Sequence, residues 1–128
     1  MVAVLGEGER VELVVPFADR FRVAVVERGS TCQLWLSGEF DLAGVGRVED
    51  ALDGIFRAPR QRKLVVDLRG LTFLDAAGLR TILRADERAR AAAVELLVVR
   101  PRGLANRVFT LTRAGAQLSM VDEPAVLA

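Results

Sequence analysis

Several residue types that carry chemistry are scarce in this 128-residue chain. It contains no histidine and no tyrosine, and Cys32 is its one cysteine. Catalysis by serine–histidine or cysteine–histidine is therefore excluded, as is an internal disulfide, and zinc ligation is disfavoured. Cys32 lies in a predicted strand, where a free cysteine usually fills the core. We expect neither a metal site nor a cofactor.

The chain also lacks long apolar runs and an excess of one charge. Its apolar stretches are far shorter than the roughly 20 residues of a membrane-spanning helix. Eighteen basic residues against 17 acidic ones leave a net charge of +1, which gives no global attraction to nucleic acid or an anionic membrane. The first ten residues resemble no signal peptide. These features indicate a cytoplasmic protein.

What is present indicates one globular domain. Hydrophobic residues make up 52% and charged residues 27%, a balance typical of a folded chain of this length. We divide the sequence into a loosely ordered N-terminal extension, residues 1–19, and one domain, residues 20–128. Within the extension, Val11–Val15 has the composition of an added edge strand.

The hydrophobic pattern predicts alternating strands and helices in the order β-β-α-β-α-β-α-(β). Continuous apolar runs at Lys63–Leu68 and Val94–Val99 predict two interior strands, because parallel strands are buried on both faces. One helix turns an apolar face inward through Val45, Val48, Leu52 and Ile55. A last helix is predicted to bury Leu104, Val108 and Leu111, and Leu118–Val121 has the pattern of a final short strand.

The stretch over residues 63–83, KLVVDLRGLTFLDAAGLRTIL, is the most informative part of the sequence. Its first strand ends at Asp67, Arg69 and Gly70 break it, and residues 71–74 make a short apolar crossing. Asp75 then starts a helix, and its carboxylate is suited to accept hydrogen bonds from the free N–H groups of the first turn.

This strand, loop, capping acid and run of small residues resemble the signature of the STAS domain, the fold of bacterial anti-sigma-factor antagonists. In that family the segment commonly reads D-[small]-S-G-L, and a partner kinase, which is also the anti-sigma factor, phosphorylates the serine. Here the same positions read Asp75, Ala76, Ala77, Gly78 and Leu79. The position equivalent to the phosphoserine is therefore Ala77, which cannot be phosphorylated.

A second segment strengthens the resemblance. STAS domains often carry G-E-[apolar]-D where the second strand meets the first helix, and this chain has Gly38, Glu39, Phe40 and Asp41 there. Glycine permits an unusual backbone angle, Phe40 is placed to anchor the loop in the core, and Asp41 is placed to cap the next helix. Taken alone, Glu39 and Asp41 are equally well explained as solvent-exposed and capping residues.

The resemblance implies a mixed α/β sheet of four to five strands with three or four helices packed mainly on one face. It also implies a non-catalytic protein that binds an anti-sigma factor of the kinase-like ATPase type and so releases a sigma factor. The implied binding surface consists of Glu39, Phe40, Asp41, Asp75, Ala76, Ala77, Gly78 and Leu79. An alternative within the same fold is a scaffold subunit of a lipid-transport or sensory assembly.

Ala77 has two interpretations that the sequence leaves equally open. In the first, the protein is locked in its binding-competent form or is regulated by something other than a kinase. In the second, it is a divergent STAS domain with no such kinase as its partner, and Ala77 is a small residue that favours the helix. The nearest hydroxyls belong to Thr72, in the crossing loop, and Thr81, which we place on the exposed side of the helix; both are better explained as structural residues.

Other functions find little support in the sequence. Asp67 and Asp75 are a candidate carboxylate pair, but one closes a strand and the other caps a helix, so we expect no enzymatic activity. Two basic clusters, at residues 57–63 and 100–107, lack interleaved aromatic residues and fit a solvated face or the rim of a protein contact better than a nucleic-acid site. A small-molecule sensor would need a pocket that the sequence does not reveal.

Overall fold

The computed structural model describes residues 20–58 and 61–122, together with the backbone of two strands before them. In this part of the chain the elements are β1 (Val2–Val4), β2 (Glu9–Val14), β3 (Phe21–Arg28), β4 (Thr31–Phe40), a 3-10 turn (Leu42–Gly44), α1 (Val45–Arg57), β5 (Lys63–Leu74), α2 (Ala76–Ala91), β6 (Glu95–Val99), α3 (Leu104–Leu111), α4 (Ala114–Gln117) and β7 (Met120–Val121).

The strands form one mixed sheet in the order in which they occur in the chain, β1 to β7. Strands β1 to β4 pair antiparallel, and β4 to β7 pair parallel through the helical crossovers that parallel neighbours require. Five of the strands, β3 to β7, and the four α-helices lie within the domain predicted from the sequence. The predicted mixed α/β fold is confirmed, and both β5 and β6 are interior strands as expected.

The core lies between the helices and one face of the sheet. Along β5, Leu64, Val66 and Leu68 join the main apolar core, whereas Val65 and Asp67 point to the other face. The α1 face through Val48, Leu52 and Ile55 is buried in the same core, as its periodicity predicts, with Val45 packed at its edge. Residues of α2, α3 and α4 enter that core too, so the described helices pack mainly on one face.

Cys32 fills the core at the start of β4, as predicted. Its side chain is fully buried, and this burial, helped by the negative charge of Glu27, raises the pKa of the thiol to about 12. The thiolate is the reactive form of cysteine, so Cys32 stays protonated and unreactive near neutral pH.

Strand β5 is longer than the sequence indicates. We expected a break at Arg69 and Gly70, but the strand runs on to Leu74. Gly38 pairs with Leu71 and Glu39 with Phe73, so the register against β4 shifts and Thr72 is an extra residue on the β5 side. An irregularity of this kind keeps the strand paired while it bends, and it carries β5 up to the start of α2.

The predicted buried face of the last helix is wrong at Leu104 and Leu111, whereas Val108 of the same set is half-buried against the core. Ala105 and Phe109 are the buried residues of α3, whereas Leu104 and Leu111 are 73% and 74% exposed. Both sets of residues are apolar and spaced for a helical face, so hydrophobic periodicity cannot choose between them. Phe109 has the larger apolar surface, and it is the one that enters the core.

The ends of the chain bear on three further expectations. β2 overlaps the predicted edge strand Val11–Val15, but it is not at the edge, because β1 pairs on its outer side. The loose extension over residues 1–19 lies largely outside the described residues and stays a prediction. The predicted final strand is present as Met120–Val121. Within the described residues, no helix combines the length and hydropathy needed to cross a bilayer.

Candidate functional site

Gly38 shapes the end of β4. Its φ of +86° lies in the region that favours glycine, and a Cβ atom at this position would lie 2.0 Å from the backbone oxygen of Arg20. The same oxygen accepts a hydrogen bond from the backbone N–H of Glu39, with the nitrogen and oxygen 2.6 Å apart. Gly38 thus permits the close approach of two backbone segments and brings the side chain of Glu39 to the surface.

Phe40 anchors the site from below. Its ring is fully buried and stacks on Phe21, with the ring centroids 4.8 Å apart. The backbone oxygen of Phe40 accepts a hydrogen bond from the N–H of Asp75 at 3.2 Å. Gly78 packs on the same residue so closely that an added Cβ would lie 2.9 Å from that oxygen. The two motifs found in the sequence, about 35 residues apart, therefore meet at Phe40.

Both predicted capping acids form their caps. The side chain of Asp41 accepts a hydrogen bond from the backbone N–H of Ala43 at 3.0 Å, at the start of the 3-10 turn. Asp75 has an extended backbone, and its Oδ1 accepts from the N–H of Gly78 at 2.9 Å. Each carboxylate stabilises a helical start whose N–H groups would otherwise lack partners.

The eight predicted binding residues divide by burial into a surface and its support. Glu39 and Ala76 are exposed, and Asp41, Asp75 and Ala77 are half-buried. The remaining three are buried beneath them: Phe40, Gly78 and Leu79. The structure therefore brings two carboxylate caps, one exposed glutamate and two small alanines to one end of the sheet.

Exposed apolar residues at this end were not identified from the sequence. Leu42 follows β4 and is 73% exposed, and Phe73 lies at the end of β5 and is 48% exposed. The carboxyl ends of β4 and β5 lie side by side, because these parallel strands pair up to Phe40 and Leu74, whereas β6 ends at Val99 opposite Asp67. Large exposed apolar side chains that gather in one region indicate a contact surface for a macromolecule.

The two hydroxyls near Ala77 have opposite environments. Thr81 is fully buried, and its hydroxyl donates a hydrogen bond to the backbone oxygen of Ala77 at 2.9 Å, so its predicted exposed position is wrong. Thr72 is exposed at the irregularity of β5. Thr81 supports the first turn of α2 from inside.

Asp67 takes no part in this surface. It is fully buried on the face of the sheet opposite the main core, and it pairs with Arg69, whose Nη2 lies 2.7 Å from its Oδ2. That hydrogen bond raises the pKa of Arg69. The amide of Gln33 donates to the same carboxylate at 3.1 Å, and the guanidinium of Arg69 lies over the ring of Trp35.

The expectation that Asp67 closes its strand is wrong, because β5 continues for seven residues to Leu74. The strand separates Asp67 from Asp75 by about 25 Å at ~3.3 Å per residue. The two acids therefore do not form a carboxylate pair. Among the residues that the structure describes, no group of three or more histidine, cysteine, aspartate or glutamate residues is placed to hold a metal ion.

Comparison with known proteins adds a family and a set of similar folds. The family model described as "Mlab, STAS domain" matches residues 23–122. A search of curated proteins finds no match. Among solved structures, an anti-sigma factor antagonist from Mycobacterium paratuberculosis is 22% identical with a TM-score of 0.67, over 89% of this chain and 87% of that one.

Two further similar structures are of the anti-sigma factor antagonist SpoIIAA. Its unphosphorylated form is 16% identical with a TM-score of 0.67, over 91% of this chain and 92% of that chain. Its phosphorylated form, from Bacillus, is 16% identical with a TM-score of 0.61, over 91% and 96%. At these identities the likeness shows a shared fold.

Proposed function

This chain belongs to the STAS domain family, and from that membership we propose that it is a non-catalytic anti-sigma-factor antagonist. In this role it binds an anti-sigma factor of the kinase-like ATPase type in the cytoplasm, and the bound anti-sigma factor releases its sigma factor. The binding surface is the start of α2 together with the end of β4.

The observation that carries the proposal is the composition of this end of the sheet. The capped start of α2 presents Ala76 and Ala77, which allow a partner to approach the backbone closely, and Leu42 and Phe73 are exposed at the ends of the flanking strands. Apolar side chains around a rigid, small-residue centre are suited to protein contact. The similar folds of three antagonist structures support the same role.

Because residue 77 is an alanine, phosphorylation at this position cannot switch the proposed interaction off. With no hydroxyl at this position, a partner kinase has no acceptor there, and Thr81 is enclosed in the core. The proposed antagonist therefore stays competent to bind in the presence of ATP. Its activity is then set by its abundance or by its partner.

A charge placed at residue 77 tests the surface. We expect Ala77→Asp to weaken binding to the partner anti-sigma factor by about tenfold or more, or ~1.4 kcal/mol. The new carboxylate adds like charge beside Asp75, and it loses its water when the partner covers it. Acidic residues near a helix N-terminus stabilise the helix, so a loss of folding is not expected. Isothermal titration calorimetry with the full chain measures the change.

A matched control separates the site from a general charge effect. Ala91 is exposed at the opposite end of α2, and we expect Ala91→Asp to bind as the wild type does. Ala77→Ser should accept the γ-phosphoryl group of ATP from the kinase-type partner, with ADP released, and the phosphorylated form should bind more weakly. Equal binding by wild type and Ala77→Asp would remove the start of α2 from the proposed interface.

Ala77 also favours a second candidate, a STAS scaffold subunit of a lipid-transport or sensory assembly, because such a subunit needs no phosphate acceptor. The two candidates differ in their partner. An antagonist binds an anti-sigma factor in isolation, whereas a scaffold subunit co-purifies in fixed ratio with a transporter ATPase or a sensor. Native mass spectrometry of the protein with each candidate partner distinguishes them.

A further inference from the structure

Helix α3 has two apolar faces, and only one of them is in the core. Ala105 and Phe109 are buried, whereas Leu104, Val108 and Leu111 recur at i, i+4 and i+7. The two leucines of this second set are exposed, and Val108 between them is half-buried at the edge of the core. We call these three residues the outer stripe of α3. Both leucines are about three-quarters exposed, and among the large apolar side chains of the described residues only Leu42 is exposed to the same degree. A helix with this pattern has an apolar side that remains free to pack against something else.

The segment that contains the outer stripe carries basic residues and no acidic ones. Residues 96–121 contain no aspartate or glutamate, but they contain four arginines. Arg100 pairs with Asp122, with Nε and Oδ1 2.9 Å apart. The other three, Arg102, Arg107 and Arg113, are exposed, and no ion pair joins any of them to another residue of the described chain. This region therefore differs sharply from the chain as a whole, whose charges nearly cancel.

We propose that the outer stripe of α3 and its three arginines form a second docking surface, whose occupant is an acidic amphipathic helix of a partner protein. Three anchors at i, i+4 and i+7 span about 10 Å along the helix axis, which matches two turns of a partner helix. The leucines supply apolar area, and the arginines select a partner with acidic residues beside its apolar stripe. This surface is separate from the start of α2 and does not depend on the anti-sigma-factor role.

The same features argue against an anionic membrane as the occupant. Helices that lie on membranes bury a broad apolar face that includes large side chains such as tryptophan, phenylalanine and leucine. Helix α3 has eight residues, and its opposite face is already committed to the core through Phe109. Two exposed leucines and one half-buried valine offer a small apolar area rimmed by arginines, which fits a protein contact better than a membrane anchor.

Synthetic peptides test the proposal on the full chain. The probes are two fluorescent 18-residue helices with the same leucine spacing, one with glutamates beside the apolar stripe and a net charge of −4, the other with lysines and +4. Fluorescence anisotropy should show the acidic peptide binding at least tenfold more tightly, with an affinity that falls as salt is raised. Arg107→Glu and Leu111→Ser should each reduce its affinity about tenfold.

Two control variants locate the binding. Leu42→Ser alters a leucine as exposed as Leu104 but near the start of α2, and Ala77→Asp alters the proposed anti-sigma-factor surface; neither should change peptide affinity. Arg113→Glu is a further test of the three arginines, and it leaves the core untouched. Circular dichroism checks that each variant is folded.

Three outcomes would overturn the proposal. The first is equal binding of the acidic and basic peptides, or no binding of either. The second is a loss of binding in Leu42→Ser or Ala77→Asp as large as in Leu111→Ser, which would place the peptide at the start of α2. The third is binding to phosphatidylserine vesicles, sensitive to Leu111→Ser, without binding to the acidic peptide, which would assign the outer stripe to a membrane.

Discussion

The starts of α2 and α3 follow neighbouring parallel strands, yet they are built in different ways. Helix α2 begins at an extended Asp75 whose side chain caps Gly78, and its first turn presents small side chains. Helix α3 begins after Gly103, at φ +62°, with no side-chain cap and with Leu104 exposed at its first position. The first is a rigid surface defined by backbone shape. The second is defined by apolar and cationic side chains, so the two surfaces suit different partners.

The support beneath the two helices differs as well. Gly78 in α2 rests directly on Phe40 and Leu74, with no space for another atom. In α3, Phe109 alone among the large side chains enters the core, while the leucines on either side of it stay outside. A larger side chain at Gly78 in α2 should therefore disturb backbone packing. In α3, the effect of a substitution on stability should depend on which face of the helix it alters.

The largest expected effect separates the two faces of α3. Phe109→Ala should lower the free energy of unfolding by about 3–5 kcal/mol, because it opens a cavity in the core. Leu111→Ala, two residues away on the outer stripe, should change it by less than about 0.5 kcal/mol. Urea unfolding of both variants measures the difference. Similar losses from the two substitutions would mean that the outer stripe is packed in solution.

A smaller effect is expected where α2 rests on the sheet. Gly78→Ala places a Cβ 2.7 Å from Leu74 Cδ1 and 2.9 Å from the backbone oxygen of Phe40, so we expect a loss of about 1–3 kcal/mol of stability. Gly54→Ala is the matched control, because it lies within α1 with no atom near its Cβ, and it should stabilise by about 0.5–1 kcal/mol. Equal stability of the two variants would contradict close packing at Gly78.

The smallest effect concerns the cap that only α2 possesses. Asp75→Ala should cost about 1 kcal/mol of stability, because the N–H of Gly78 loses its acceptor, and Asp75→Asn should keep most of that stability. If Asp75 also contacts the anti-sigma factor, the asparagine variant should bind it more weakly. Thermal unfolding and calorimetry report the two roles separately, and wild-type affinity in Asp75→Asn would leave Asp75 a capping residue alone.

The sequence predicted features that depend on local interactions. The caps at Asp41 and Asp75 need only the next three residues, and both are present. The buried face of α1 was predicted because charged residues occupy its other side, so one face alone fits the core. The interior position of β5 followed from its continuous apolar run.

The predictions from sequence failed where contacts with segments distant in the chain determine which residues are buried. Both faces of α3 are apolar, and the choice between them depends on the space that the core leaves for Phe109. Thr81 lies in a row of small buried residues with Gly78 and Ala85, which gives little hydrophobic signal. The exposed residues Leu42 and Phe73 come from two distant segments, and the ends of β4 and β5 that carry them meet only after these parallel strands have paired.

The strand order has a consequence for how the protein is made. Each described strand from β2 to β7 pairs with the strand immediately before it in the chain. A ribosome releases the N-terminal part of a protein first, so each emerging strand meets a partner that has already left the exit tunnel. After β1, each described strand finds its partner already made, and none has to insert between two strands that have already joined. We expect the sheet to grow in one direction during synthesis, with each helix laid onto it as the next parallel strand arrives.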